Sequence, residues 1–406
     1  MTATLPPRTS ARRGERAVIG FVAFMAIVMA YGVEAILPAF DEIDQSFGFS
    51  RQDVSVSLLV TTLLIGMGVG QLIWGPVSDT FGRLPVLLAG LGLYALGAVG
   101  MIIAPSLELL LISRFVWGVG AAAPNGLRLA VARDIFSGDQ MARVVTFATA
   151  VFLIGPVVMP FFGEGILLLG DWELIAFVGV GLAGAAGGVA IWFGETLPVG
   201  RRRPLRFKPL MVALRQIVQT PASAGAILAT MFYGGAFFIF LGSAQPIIEN
   251  IYDSGDRFVW LFGLSGVAMS VALFSNGRLI TRFGAARVAW TAATCFVIVN
   301  AIGLTVTLAG NGTPSLAVWL IWACASNAAG SMVAAICAAL ALEPLGAIAG
   351  TAASILAFAQ LGPGAALAAV VDSQIRTTVT PMLIGALVYS VLGIACLRWS
   401  LSRSLA

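Results

Sequence analysis

The sequence predicts an all-α integral membrane protein, with twelve transmembrane helices in two pseudo-symmetric six-helix bundles. Three observations predict it. Of the 406 residues, 59% are hydrophobic and only 10% are charged, with a mean hydropathy of +0.97. A soluble chain of this length needs far more charge to stay dispersed. Next, the apolar runs are about 20 residues long and apolar all round, without strand-like alternation. Inside a bilayer the backbone must satisfy its own hydrogen bonds, and runs of this length do so as helices. Lastly, the second half of the chain repeats features of the first at a near-constant offset.

The first span, 17–38, carries Glu34 and ends at Pro38. It follows a basic start, but the apolar run is a full span and no cleavage site is present. It therefore reads as a retained helix and not a removable signal. The second span, 54–77, runs into the polar, glycine-punctuated turn Gly75-Pro-Val-Ser-Asp79-Thr-Phe-Gly82-Arg83. The third span, 85–104, starts directly after it. The fourth, 107–131, contains Arg114, and the fifth, 142–169, contains Gly155-Pro156. The sixth is 173–194. Residues 195–220 form the longest polar interruption, with Arg201-Arg-Arg-Pro-Leu-Arg-Phe-Lys208. This linker divides the chain into a first bundle, 1–194, and a second, 221–406. Its basic run reads as an anchor at lipid headgroups, with a nucleic-acid patch as the alternative. The second bundle holds spans 221–245, 258–276, 285–308, 315–341, 347–371 and 378–399.

Basic residues fix the expected orientation. With the N-terminus inside, 19 of the 23 Lys and Arg fall on the inner side. The outer loops hold Arg51, Arg257 and Arg376, and Arg114 lies within a span. That asymmetry predicts both termini in the cytoplasm. The outer loops instead hold acids, among them Asp41, Asp44, Asp171 and Asp253. These read as solvated loop ends, or as a mild attraction for cationic solutes. There is no His, and Cys295, Cys324, Cys337 and Cys396 fall within spans without metal-ligand spacing. No metal, disulfide or cofactor is expected.

The repeat is visible at three places. Gly75…Phe81-Gly82 recurs as Gly277…Phe283-Gly284, Gly155-Pro156 as Gly362-Pro363, and Leu37-Pro38 as Gln245-Pro246. Two bundles related by an axis along the membrane normal follow, with substrate expected near the midplane between them. The copies differ in charge. Asp79 matches Thr281, Arg83 matches Ala285 and Glu34 matches Gly242. The second half is therefore expected to be nearly uncharged within the membrane.

The turn Gly75–Arg83 resembles the loop motif between the second and third helices of the major facilitator superfamily. Arg114-Phe-Val-Trp-Gly118-Val-Gly120 resembles the fourth-helix motif of its proton-coupled members. Gly155-Pro156…Pro160…Gly163 resembles the fifth-helix motif of antiporting exporters. Glu34-Ala-Ile-Leu-Pro38, Gly70-Gln71…Ser78-Asp79 and Arg133-Asp134-Ile-Phe136 are similar to the bicyclomycin and chloramphenicol resistance (Bcr/CflA) branch. Three departures stand out: Glu34 where that branch has Asp, Trp117 where Gln is common, and Glu164 where the fifth-helix motif has Gly. The resemblance implies a monomeric drug:proton antiporter of the bacterial inner membrane that works by alternating access on small amphipathic molecules.

Glu34 and Arg114 are the candidate proton-coupling residues. A carboxylate in apolar surroundings favours its neutral form, which suits a proton carrier. The alternative is an interfacial acid, paired or snorkelling to water. Arg114 stays charged and needs a partner or a wet cavity. That partner is Glu34, or else backbone carbonyls that simply hold the bundle together. Gly75, Asp79, Gly82 and Arg83 are expected to gate the conformational change; Asp79 and Arg83, four apart, can pair with each other or with a neighbouring helix end, or form a merely solvated pair. A kink at Gly155 and Pro156 is expected at the bundle interface. Tyr31, Gln71, Asn125, Phe237, Phe238, Phe240, Gln245 and Gln360 are candidates for the substrate cavity. Uptake symport is a competing reading, as is a non-transporting membrane sensor or assembly partner. No G-x-x-x-x-G-K-[ST] loop or catalytic constellation points to an ATPase or an enzyme.

Overall fold

The structure is a computed structural model that describes residues 14–49, 54–136, 138–202, 204–205 and 208–404. Among these residues every regular element is helical. Eleven helices are long and apolar enough to cross a membrane. A twelfth, spanning Gly138–Leu167, is apolar over Ile154–Leu167. Each predicted span is occupied by one of these helices.

Helix α1 covers Glu15–Glu34 and stops short of the predicted end at 38. Pro38 has no N–H to continue the ladder. The chain passes instead through a 3-10 turn, Leu37–Ala39, into a short amphipathic helix α2, Phe40–Phe47. Phe40 and Ile43 anchor α2 against the bundle. The next spans are α3 (Leu58–Phe81), α4 (Arg83–Ile102) and α5 (Leu107–Ile135). They are followed by α6 (Gly138–Leu167) and α7 (Glu173–Phe193). Ser106 caps α5 by accepting a hydrogen bond from Leu109 N at 3.4 Å. The predicted linker contains a further helix, α8, over Lys208–Gln219. It lays Ala213 and Ile217 against the second half while Met211, Val212 and Val218 stay exposed. The second half continues with α9 (Pro221–Pro246), α10 (Phe258–Phe283) and α11 (Ala285–Ala309). It closes with α12 (Leu316–Leu342), α13 (Ala349–Asp372) and α14 (Thr380–Ser404).

Lipid tails are as apolar as Leu, so close van der Waals packing holds such helices together. Small residues supply it. Gly118 faces the Leu63 carbonyl, Gly97 faces Trp117 and Gly90 faces Ala123, each too close for a side chain. Large apolar side chains such as Leu96, Phe177, Ile191, Trp260 and Ile321 point outward, where lipid would meet them. In the second half Phe240 stacks on Phe262 with ring centroids 5.3 Å apart.

The halves meet along two helix pairs. Helix α3 lies along α13, with Gly68 against the Gly362 backbone. Helix α6 lies along α10, where Gly266 abuts Pro156 and Val157, and Gly263 abuts Phe161. A cavity opens between the halves at each end. The one bounded by Asp41, Asp44 and Asp372, at the acidic end, has a volume of about 320 Å³. The one bounded by Asp79, Arg83 and Arg133, at the basic end, has a volume of about 250 Å³.

Candidate transport site

Arg114 is completely buried in the first half. Its Nη1 donates to Gly32 O at 3.0 Å and its Nε donates to Leu59 O at 2.9 Å. Gly32 lies in the last turn of α1, where helix carbonyls lack an intrahelical partner, so the guanidinium takes an orphan acceptor. Trp117, one turn along α5, sits 5.3 Å from the guanidinium carbon, a cation–π distance. Tyr94 donates to Val28 O at 2.9 Å beside it.

Glu34 ends α1 and is 8% exposed. Its Oε2 has no hydrogen-bond partner. It points toward Gly155 of α6, where a Cβ would stand 3.2 Å from Oε2. Among the described residues Glu34 and Arg114 form no ion pair. Of the two alternatives the backbone carbonyls are the partners seen, and Arg114 Nη2 has no hydrogen-bond partner among the described residues. Helix α6 runs unbroken through Pro156 and Pro160. Gly155-Pro156 therefore touches both Glu34 in its own half and Gly266 of the other half.

At the basic end Asp79 and Arg83 pair as the spacing allows, with Nη1 to Oδ1 at 2.6 Å. The pair belongs to a larger network. Arg83 Nη1 also donates to Ser78 Oγ at 2.7 Å, and its Nε donates to Asp134 Oδ2 at 3.0 Å. Thr196 donates to the same Asp134 oxygen. Glu195 caps the start of α4, accepting from Arg83 N at 2.9 Å and Leu84 N at 3.2 Å. An anion there complements the positive end of the helix dipole. Gly82, at φ +105°, leaves room for that carboxylate. Across the cavity lie Ile348, Gly350 and Thr351, where α13 starts, and Ser354 of α13 is the nearest side chain to Gly75. Sequence reasoning does not single out Glu195 and Thr196, and it gives Ser78 and Asp134 only as members of motifs. The signal was the run Gly194-Glu195-Thr196, an acid and a hydroxyl at the end of the sixth span.

The cavity candidates do not converge. Gln71 lines the basic-end cavity and donates to Ala122 O at 3.4 Å. Gln245 lines the acidic-end cavity. Tyr31 is core, donating to Ile175 O at 2.5 Å, and Phe238 and Phe240 are buried in the second half. Asn125 accepts from Arg128 Nη2 at 3.2 Å. Phe237 packs on Phe238, and Gln360 packs against Gly234.

In a second half expected to be nearly uncharged within the membrane, one buried acid stands out: Asp372, the last residue of α13, is only 2% exposed. Its Oδ1 accepts a hydrogen bond from Ser243 Oγ at 2.6 Å. The residue lies one position beyond the predicted eleventh span, 347–371. Packing by α9 and by the start of α3 buries it.

A twelve-helix bundle in two halves, with the Asp79–Arg83 turn and an intramembrane arginine, leads to comparison with known transporters. The sequence profile of the Major Facilitator Superfamily matches residues 22–369. This chain belongs to that superfamily. With this family and fold it is a multi-pass membrane transporter and not an enzyme. It is 33% identical over 264 residues to a bicyclomycin resistance protein homolog of Haemophilus influenzae, covering 64% of this chain and 66% of that one. It is 28% identical over 289 residues to a chloramphenicol resistance protein of Pseudomonas aeruginosa, covering 69% of this chain and 66% of that one. The matches thus span about two thirds of these relatives. Among solved structures, a D-xylose-proton symporter superposes with a TM-score of 0.73 at 17% identity, over 95% of this chain and 97% of that one. At that identity the superposition speaks for the fold alone.

Proposed function

We propose that this transporter exports small amphipathic compounds in exchange for protons, by alternating access, with Glu34 as the exchanging acid. The observation that carries the reading is the position of Glu34. It is a buried carboxylate with an unpartnered oxygen, set against Gly155 at the point where α6 also packs on α10 of the other half. A desolvated, unpaired carboxylate is stable when neutral and needs water or a cation when charged. Rocking of α6 against α10 would change which of these Glu34 meets, which ties protonation to conformation. The resistance-protein relatives support export over uptake. On this reading the halves 1–194 and 221–406 move as units joined by 195–220. Both termini face the cytoplasm of a bacterial inner membrane, and the chain works as a monomer. Glu164, half-buried eight residues beyond Pro156 of α6, is the alternative acid.

Everted membrane vesicles with a preformed proton gradient, followed with a pH-sensitive dye, test the reading. Exported compounds should collapse the gradient in vesicles holding the wild type, and should fail to do so with Glu34→Gln. Equal collapse by both would remove Glu34 from the mechanism.

A further inference from the structure

A further cavity, about 370 Å³ in volume, is a furrow formed by α10, α11 and α12 within the second half. Leu279 and Phe283 of α10, Ala292 and Cys295 of α11 and Met332 of α12 give it an apolar wall. Phe283 and Cys295 are exposed, so the furrow opens on the outer surface of the half, where lipid would meet it.

Hydrogen-bonding groups enter the lining at one end. Arg287, in the first turn of α11, lines the furrow, and Thr291 follows one turn further on. Cys295 comes one turn beyond that, and each step is about 6 Å along the helix. From the basic end inward the furrow thus offers a positive charge, then a hydroxyl, then apolar wall. A second charge stands beside its mouth, because the guanidinium carbon of Arg282 lies 5.2 Å from the centre of the Phe283 ring. Neither Arg282 nor Arg287 forms an ion pair among the described residues.

Nothing nearby in the chain supplies the missing anion. Residues 258–342, which contain all three helices, include no Asp or Glu. The first half answers the same need internally. There the Glu195 carboxylate accepts from the first N–H groups of α4, next to Gly82. The matching start of α11 has no side-chain cap, and nothing lies within 4 Å of a Cβ built on Gly284. Its first N–H groups are therefore open to an outside acceptor.

We propose that the furrow is a binding site for one anionic phospholipid of the surrounding membrane, with its phosphate at Arg287 and Arg282 and an acyl chain along Leu279, Ala292 and Met332. Basic pockets between membrane helices suit anionic headgroups. A zwitterionic lipid brings an ammonium as well, and the three helices hold no acid to meet it. The site goes beyond the export reading and holds whichever way the transporter runs.

Native mass spectrometry of the purified full-length protein, titrated with phosphatidylglycerol or with phosphatidylcholine of the same chains, tests the site. The wild type should bind one phosphatidylglycerol at least tenfold more tightly than phosphatidylcholine. A basic residue near an anionic lipid is worth ~1 kcal/mol, about fivefold in affinity. Arg282→Gln with Arg287→Gln should therefore weaken phosphatidylglycerol binding about 25-fold and erase the preference. Arg215→Gln, on α8 against α9 and α13, should leave it unchanged. Ala329→Leu fills the furrow without altering charge, and it should weaken binding of both lipids; it decides the matter if the double variant is not monodisperse. Equal affinity of the wild type for the two lipids would overturn the proposal. So would a preference that survives in the double variant, an equal loss in Arg215→Gln, or wild-type binding by Ala329→Leu.

Discussion

The two halves of the molecule share one helix plan but set their buried acids on opposite members of the same helix pair. In the first half the acid is on the first helix and the glycine on the fifth, with Glu34 of α1 facing Gly155 of α6. In the second half the order is exchanged, with Gly242 of α9 facing Asp372 of α13. Each glycine supplies the space that its acid occupies. A duplicated fold keeps the packing geometry, and either helix can then carry the charge. The second acid differs in what surrounds it. Glu34 lies against α6, which packs on α10, whereas Asp372 lies in a cavity bounded by both halves.

The largest expected effect breaks the first half's arrangement. Glu34→Gln removes the exchangeable proton and should reduce gradient-driven export about fiftyfold at 100 mV, because moving one charge across the bilayer is worth ~2.3 kcal/mol per 100 mV. Glu34→Asp should keep substantial export. Flux measured in vesicles with and without an imposed gradient checks this. Undiminished export by Glu34→Gln would mean that the first half's acid is not the exchanging one.

Arg114 sharpens the comparison next. It bridges α1, α3 and α5 through carbonyl acceptors, a structural duty with no charged counterpart at the matching depth of the second half. Arg114→Ala should lower stability by about 1–3 kcal/mol for each acceptor left unsatisfied. Thermal unfolding in detergent measures it. Arg114→Lys should recover part of the loss, because one ammonium can reach one carbonyl but lacks the planar fork. Unchanged unfolding of the Ala variant would return Arg114 to proton coupling.

Much of this was legible in the sequence. Apolar runs of membrane length announce helices directly, and α3, α4 and α7 lie close to their predicted spans. The Asp79–Arg83 pair is one arrangement that the i,i+4 spacing allows. Three things were not legible, each for a physical reason. Helix α8 hides in a polar stretch because an interfacial helix needs only one narrow apolar face. Glu195 and Asp134 join Arg83 through tertiary contacts more than fifty residues apart in sequence. Asp372 lies at a helix end, where composition cannot distinguish a solvated acid from one covered by a neighbouring helix.

A moderate effect is expected at the basic end, where the halves differ most in charge. Arg83→Ala should slow transport about tenfold while leaving substrate affinity near wild type, because the network biases a conformational equilibrium and stands at the basic end, away from the midplane. Paired measurements of flux and equilibrium binding check this. A parallel loss of both would make the turn part of the binding surface.

The smallest effect comes from the two glycines that end the equivalent turns. Gly82 has φ +105° and ψ 163°, and Gly284 has φ +81° and ψ 148°. Both lie in a region that is essentially reserved for glycine, so an alanine at either position costs on the order of 1–3 kcal/mol of backbone strain. Their surroundings differ. A Cβ at Gly82 would collide with the Glu195 carboxylate, whereas at Gly284 nothing lies within 4 Å. Gly284→Ala should therefore lower thermal stability by the strain alone and leave the transport rate per folded molecule unchanged. Gly82→Ala should show the same strain and also displace Glu195 from the start of α4, so that its flux falls toward that of Arg83→Ala. The difference between the two alanine variants isolates the contribution of the charge network from that of the turn. If both lose flux equally, the turn backbone governs gating in both halves, and the charges of the first half only adjust it.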